Sequence, residues 1–80
     1  MTKLEMREAV NNIVNGYCET YNFLCNKDKV NSSIYYMEFI HKIIGVFDLL
    51  SYDYSFTCEE HEAFLTECLG KIHEIYHNYN

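Results

Sequence analysis

Apolar residues recur at helical spacing along most of the chain. The series Met6, Val10, Ile13, Tyr17, Tyr21, Leu24 steps by three or four residues, which puts all six on one face of a helix. Val14, Cys18 and Cys25 widen that face, and Arg7, Glu8, Asn11, Asn12, Asn15, Glu19 and Asn22 fall opposite it. Thr2, with Glu5 three residues on, has the form of a capping box, in which the hydroxyl accepts from one free backbone N–H and the carboxylate from another. The pattern predicts a first helix over residues 2–25. Gly16 marks a place where another helix is expected to come close.

Residues 33–50, SIYYMEFIHKIIGVFDLL, are too long for a strand and predict a second helix of about five turns. Its polar residues Glu38, His41, Lys42, Gly45 and Asp48 share one narrow stripe, and nearly everything else is apolar or aromatic. One neighbour cannot cover such a surface. The expectation is a central helix wrapped on two or more sides and shared with a second copy of the chain. Tyr36, Met37, Ile40, Ile43, Ile44, Phe47 and Leu50 are its expected core and dimer-contact residues. The polar connector over residues 26–32 is short enough for an antiparallel neighbour, with Val30 expected to tuck back and Asn31 or Ser32 to cap the next helix.

Thr57 with Glu60 repeats the capping-box pattern and opens a third helix over residues 57–77. Glu59, Glu60 and Glu62 suit the positive end of its dipole. Its inward stripe is expected to be His61, Leu65, Cys68, Ile72, Tyr76 or Ile75, and Tyr79, with Phe64 and Leu69 beside it. Between the second and third helices Tyr52, Tyr54 and Phe56 alternate with Asp53 and Ser55, a loop whose aromatics cover the bundle end or meet a partner. Together these elements predict an all-α chain, one domain over residues 1–80, built as a small antiparallel three-helix bundle that dimerises through its central helix. The absence of proline and the three glycines agree with mostly helical structure and short connections. Eighty residues is close to the lower limit for a self-sufficient core, which also favours association.

Charge narrows the function classes. Lys3, Arg7, Lys27 and Lys29 balance Glu5, Glu8, Glu19 and Asp28, so the whole net charge of −6 falls on residues 32–80. Direct nucleic-acid binding needs clustered Lys and Arg and is not expected. A protein partner with a basic surface, such as a nucleic-acid-binding protein, is the better match; a solvated face that keeps the chain soluble is the plainer one. The candidate partner-contact residues are Glu59, Glu60, Glu62, Glu67 and Glu74 with Tyr52, Asp53 and Tyr54. Residues 1–10 are charged throughout and no apolar run reaches membrane-spanning length, so neither a signal peptide nor a membrane partner is expected. A cytoplasmic setting with Cys18, Cys25, Cys58 and Cys68 as free thiols follows.

The sharpest chemical pattern is His73-Glu74-Ile75-Tyr76-His77, which matches HExxH. Over these five residues it resembles the zinc metalloprotease motif, which implies two histidine ligands and Glu74 as a general base. The charged Lys71 precedes it, no edge strand for a peptide substrate is apparent, and no third ligand is expected downstream. The expectation is therefore no enzyme, no cofactor and no dedicated metal centre, with His73 and His77 as the candidate ligands if one exists. Cys58-x-x-His61 has ligand spacing too, but His61 and His73 are about 18 Å apart along one helix, too far to share an ion. The chain has no glycine-rich phosphate loop.

The leading expectation is a non-enzymatic, acidic helical interaction protein that binds and inhibits or adapts another macromolecule. Usage of Asn, Ile, Tyr and Lys points to a low-GC bacterial or phage genome, which by association suggests a phage or mobile-element inhibitor of host or defence machinery. The alternative is a small zinc-binding protein using His73, Glu74 and His77.

Overall fold

The computed structural model describes residues 2–50 and 56–79. Among them the chain forms three α-helices and no strand: α1 is Lys3–Lys27, α2 is Ser32–Leu50 and α3 is Cys58–Tyr79, with a short 3₁₀ turn, Lys29–Asn31, between the first two. Tyr52, Asp53 and Tyr54, expected to meet a partner, lie outside the described residues. The helices lie side by side as a rod of 41 × 18 × 17 Å.

Both capping boxes form. Thr2 Oγ1 accepts from the Glu5 N–H and Glu5 Oε1 accepts from the Thr2 N–H, each at 3.1 Å. Thr57 Oγ1 accepts from Glu60 N–H at 3.1 Å, and Glu60 Oε1 accepts from Thr57 N–H at 3.2 Å. Each box satisfies two backbone donors that a helix start would otherwise leave to solvent.

The turn between α1 and α2 is organised by one carboxylate. Asp28 donates its backbone N–H to the Leu24 carbonyl at 2.8 Å, closing α1. Its Oδ2 accepts from Asn31 Nδ2 at 2.7 Å and from the Tyr35 hydroxyl at 3.1 Å. The Asn31 bond first, helped by Tyr35, holds the Asp28 carboxyl below its ordinary range. This geometry corrects the expected connector. Residues 29–31 wind into the 3₁₀ turn, and Val30 points outward, 91% exposed, instead of tucking back. The Asn31 amide reaches back to Asp28. Ser32 begins α2, is buried, and offers its carbonyl to the Tyr21 hydroxyl at 3.3 Å.

The core takes Val10, Val14, Tyr21 and Cys25 from α1, Phe39, Ile43, Phe47 and Leu50 from α2, Phe56 from the approach to α3, and Phe64, Cys68 and Ile72 from α3. Rings fill it. Phe39 meets Tyr17 edge-on with centroids 6.0 Å apart and Tyr21 at 5.7 Å, and Phe47 meets Phe64 edge-on at 5.0 Å. Removing a buried aromatic such as Phe39 or Phe47 would cost about 3–5 kcal/mol.

The buried arc of each helix differs from the expected one. Ile13, placed on the inward stripe of α1, is 44% exposed, because Val14 and Tyr21 turn the contact face past it. On α3 the contact line runs through Phe64, Cys68 and Ile72, while His61, Leu65 and Tyr76 flank it. On α2, Ile43, Phe47 and Leu50 are buried as expected, and Tyr36 and Ile40 are half-buried. Met37 and Ile44, expected as core or dimer-contact residues, are 54% and 36% exposed in the single chain. The two neighbouring helices cover one side of α2, centred on Phe39 and Ile43, and leave the other to Ile34, Met37, Ile44 and Leu49 interleaved with Glu38, His41, Gly45 and Asp48. Gly16 is not a point of close approach: a Cβ built there meets nothing within 4 Å, and the same is true of Gly45 and Gly70.

Residue pairing sets the relative order of the helices. Contacts between α1 and α3 advance together, from Lys3–Glu60 through Arg7–Glu67 and Asn11–Lys71 to Asn22–Tyr79. Contacts between α2 and α3 advance in opposition, from Tyr36–Tyr76 to Phe47–Phe64.

Candidate interaction surface

The five glutamates of α3 do not form one equivalent set. Glu60 is committed to the fold: its Oε2 accepts from Lys3 Nζ at 2.6 Å while its Oε1 caps the helix. The Lys3 hydrogen bond is the larger reason its carboxyl is held below the ordinary range, with the Thr57 N–H second. Glu67 faces Arg7 at 3.6 Å, and the Arg7 guanidinium also lies over the Phe64 ring at 4.3 Å. Glu59, Glu62 and Glu74 are exposed, and neither ion pair among the described residues involves them. Lys71, the one lysine of α3, faces Asn15 at 3.4 Å and Asn11 at 3.5 Å on α1. The flank of α3 toward α1 is therefore neutralised, and three carboxylates stay open to solvent.

A second surface is apolar. Met6, Ala9, Val10 and Ile13 of α1 face Val46, Leu49 and Leu50 of α2 across a groove of about 240 Å³. Leu49 is 73% exposed at its edge. Farther along the same seam the Lys42 ammonium lies 4.7 Å from the Phe39 ring centroid and 5.9 Å from that of Tyr17, so a residue that reads as polar sets its charge over aromatic surface.

The histidines divide in the same way. His61 is half-buried, with Nε2 2.8 Å from the Phe47 carbonyl oxygen, which makes Nε2 the protonated donor. His73 and His77 are both exposed, one helical turn apart, with ring centroids separated by 4.4 Å. His73 Nδ1 lies 3.2 Å from the Tyr36 hydroxyl of α2. Tyr36 stacks on Tyr76 at 4.4 Å, and the Tyr76 hydroxyl lies 3.4 Å from Ser33 Oγ. Sequence spacing places the two histidines on one face, but Tyr36 is 37 residues away and no local pattern points to it.

The four cysteines are free thiols. Cys25 and Cys68 are buried, Cys18 is half-buried and Cys58 is exposed. Burial pushes the thiols of Cys18, Cys25 and Cys68 up, so they stay protonated and are poor nucleophiles and poor metal ligands. Among the described residues no cluster of three or more His, Cys, Asp or Glu side chains is arranged to hold a metal ion. No helix among them is long and apolar enough to cross a membrane. No family model matches the chain, and comparisons with curated proteins and with solved structures likewise return no match.

Proposed function

We propose that this chain is a non-enzymatic interaction protein that uses the open carboxylates of α3 to engage a basic protein surface, of the kind that binds nucleic acid. The observation that carries the reading is the separation of the α3 glutamates. Glu60 and Glu67 are matched by Lys3 and Arg7, while Glu59, Glu62 and Glu74 present negative charge outward. Such a surface competes with phosphate for Lys and Arg, so its effect on a nucleic-acid-binding partner is inhibition by occupancy.

In the same reading the bundle is antiparallel, and two copies meet through the outer face of α2. The opposed order of the α2–α3 contacts and the exposure of Ile34, Met37 and Ile44 on one helix support this arrangement. Pairing there would leave α3 free for a partner.

Capture from cells of the native host, with the triple variant Glu59→Lys, Glu62→Lys and Glu74→Lys as comparison, tests the proposal. A basic protein retained by the wild type, released by moderate salt and lost in the variant is the expected result. Retention unchanged by the charge reversal overturns it. Met37→Asp is expected to halve the sedimenting mass; a wild-type chain that sediments as a monomer removes the pairing and leaves the acidic surface standing.

A further inference from the structure

We propose that His73 and His77 form a two-donor site for a divalent transition-metal ion such as Zn²⁺, with solvent completing its coordination. This inference does not depend on the acidic-surface reading. Histidines four residues apart on a helix direct their rings to the same side, and here the two rings meet edge to face, centroids 4.4 Å apart and planes at 79°, so a side-chain rotation on the surface is enough to turn both toward one ion. Both rings are exposed, so an ion reaches them without rearrangement of the core. Neutral imidazole nitrogen is a good ligand for Zn²⁺ at about 2.0–2.1 Å.

The second observation is Tyr36. A metal-bound histidine usually donates its other ring N–H to a fixed acceptor, which selects the tautomer and orients the ring. The Tyr36 hydroxyl, 3.2 Å from His73 Nδ1, is placed to do this. When the Tyr36 oxygen accepts from Nδ1–H, the Nε2 lone pair of His73 is free for the metal. Tyr36 is itself held by stacking on Tyr76, so the acceptor does not swing freely.

The thiols of α3 do not substitute. Cys68 is buried with a raised thiol pKa, and exposed Cys58 lies fifteen positions from His73, about 22 Å along the helix. Two imidazoles without a third protein donor form an accessory site, and the proposal assigns it no hydrolytic chemistry.

Zn²⁺ titration of the reduced protein, followed by calorimetry and by the histidine ring resonances, tests the site. The expected result is one ion per chain, with the His73 and His77 ring signals shifting together and those of His41 and His61 unmoved. His73→Ala or His77→Ala should weaken binding at least tenfold, and Tyr36→Phe on the order of tenfold through loss of the ring acceptor. Cys58→Ser should leave it unchanged. Far-UV circular dichroism checks that each variant is folded, and the wild-type resonances give the answer without any variant. Shifts confined to other histidines, binding unaffected by the two alanine variants, or binding lost in Cys58→Ser would each overturn the proposal.

Discussion

His61 Nε2 donates to the Phe47 carbonyl oxygen at 2.8 Å, and the rings of the same two residues meet edge to face with centroids 5.5 Å apart. Phe47 lies in the last turn of α2, where carbonyls run out of partners within the helix. One side chain from the first turn of α3 thus satisfies a helix end and packs on the core beneath it. His61→Phe keeps much of the packing and removes the donor, and should lower unfolding free energy by about 1–2 kcal/mol. A urea midpoint equal to that of the wild type would show that solvent serves the carbonyl as well.

Glycine occupies an open helical position three times. With nothing within 4 Å of a methyl group placed at Gly16 or Gly70, alanine gains helix propensity without a clash. Each replacement should stabilise by about 0.5–1 kcal/mol, and thermal scans should show the two adding. Gly45 is equally open in the single chain but sits on the outer face of α2 near His41 and Asp48. If two copies meet on that face, Gly45→Ala should alter the dimer dissociation constant, measured by sedimentation, while Gly16→Ala does not.

Acid should weaken the fold in a defined direction. The carboxyls of Glu5, Asp28 and Glu60 are all held below their ordinary values, by Thr2, by Asn31 and by Lys3 respectively as the leading cause. A depressed carboxyl contributes stability that is complete above its unfolded pKa and is lost as pH falls through the folded one. Urea midpoints should therefore hold steady at neutral pH and decline as pH drops below the ordinary glutamate value of 4.5. Glu60→Gln should flatten part of that decline, and a profile identical to wild type would remove the Lys3–Glu60 contact from the account.

Thiol labelling should separate the four cysteines. Cys58, exposed at the first turn of α3, should react with a disulfide reagent in the native state. Cys25 and Cys68 should react only on unfolding, and Cys18 at an intermediate rate, since burial both shields them and keeps them protonated. More than one fast thiol per native chain would contradict the burial pattern.

Much of the fold is readable from spacing and caps. The three helices, the two Thr–Glu boxes and the inward positions of Val10, Cys68 and Ile72 follow from local pattern, because each depends on residues three or four apart. The buried arc of α2 does not follow. A helix apolar nearly all round does not specify which side is covered, so spacing does not single out Phe39, 2% exposed, and groups Met37 and Ile44 with the buried residues as core or dimer contacts. Lys42 adds to the difficulty, since it counts as polar while its ammonium lies over the Phe39 and Tyr17 rings. At the candidate surface, composition shows how many glutamates α3 carries but not which are neutralised. That choice is made by Lys3 and Arg7, which meet Glu60 and Glu67 only because the first and third helices pack together. Val30 departs from expectation because Asp28 holds Asn31 and Tyr35 and so fixes the turn, an arrangement that hydrophobicity alone does not encode.

The α1–α3 seam carries a chain of polar contacts: Lys3–Glu60, Arg7–Glu67, Lys71 with Asn11 and Asn15, and the Tyr79 hydroxyl between Asn22 and Asn26 at 2.9 and 2.6 Å. The α2 flanks are gripped by packed aromatic rings, two pairs of them edge to face. Dissolved salt screens the two ion pairs of that seam, and a kosmotropic anion such as sulfate strengthens apolar burial. Concentrated sulfate would thus weaken the two charged links between the opening and closing segments of the polypeptide while tightening the ring contacts that hold the middle one.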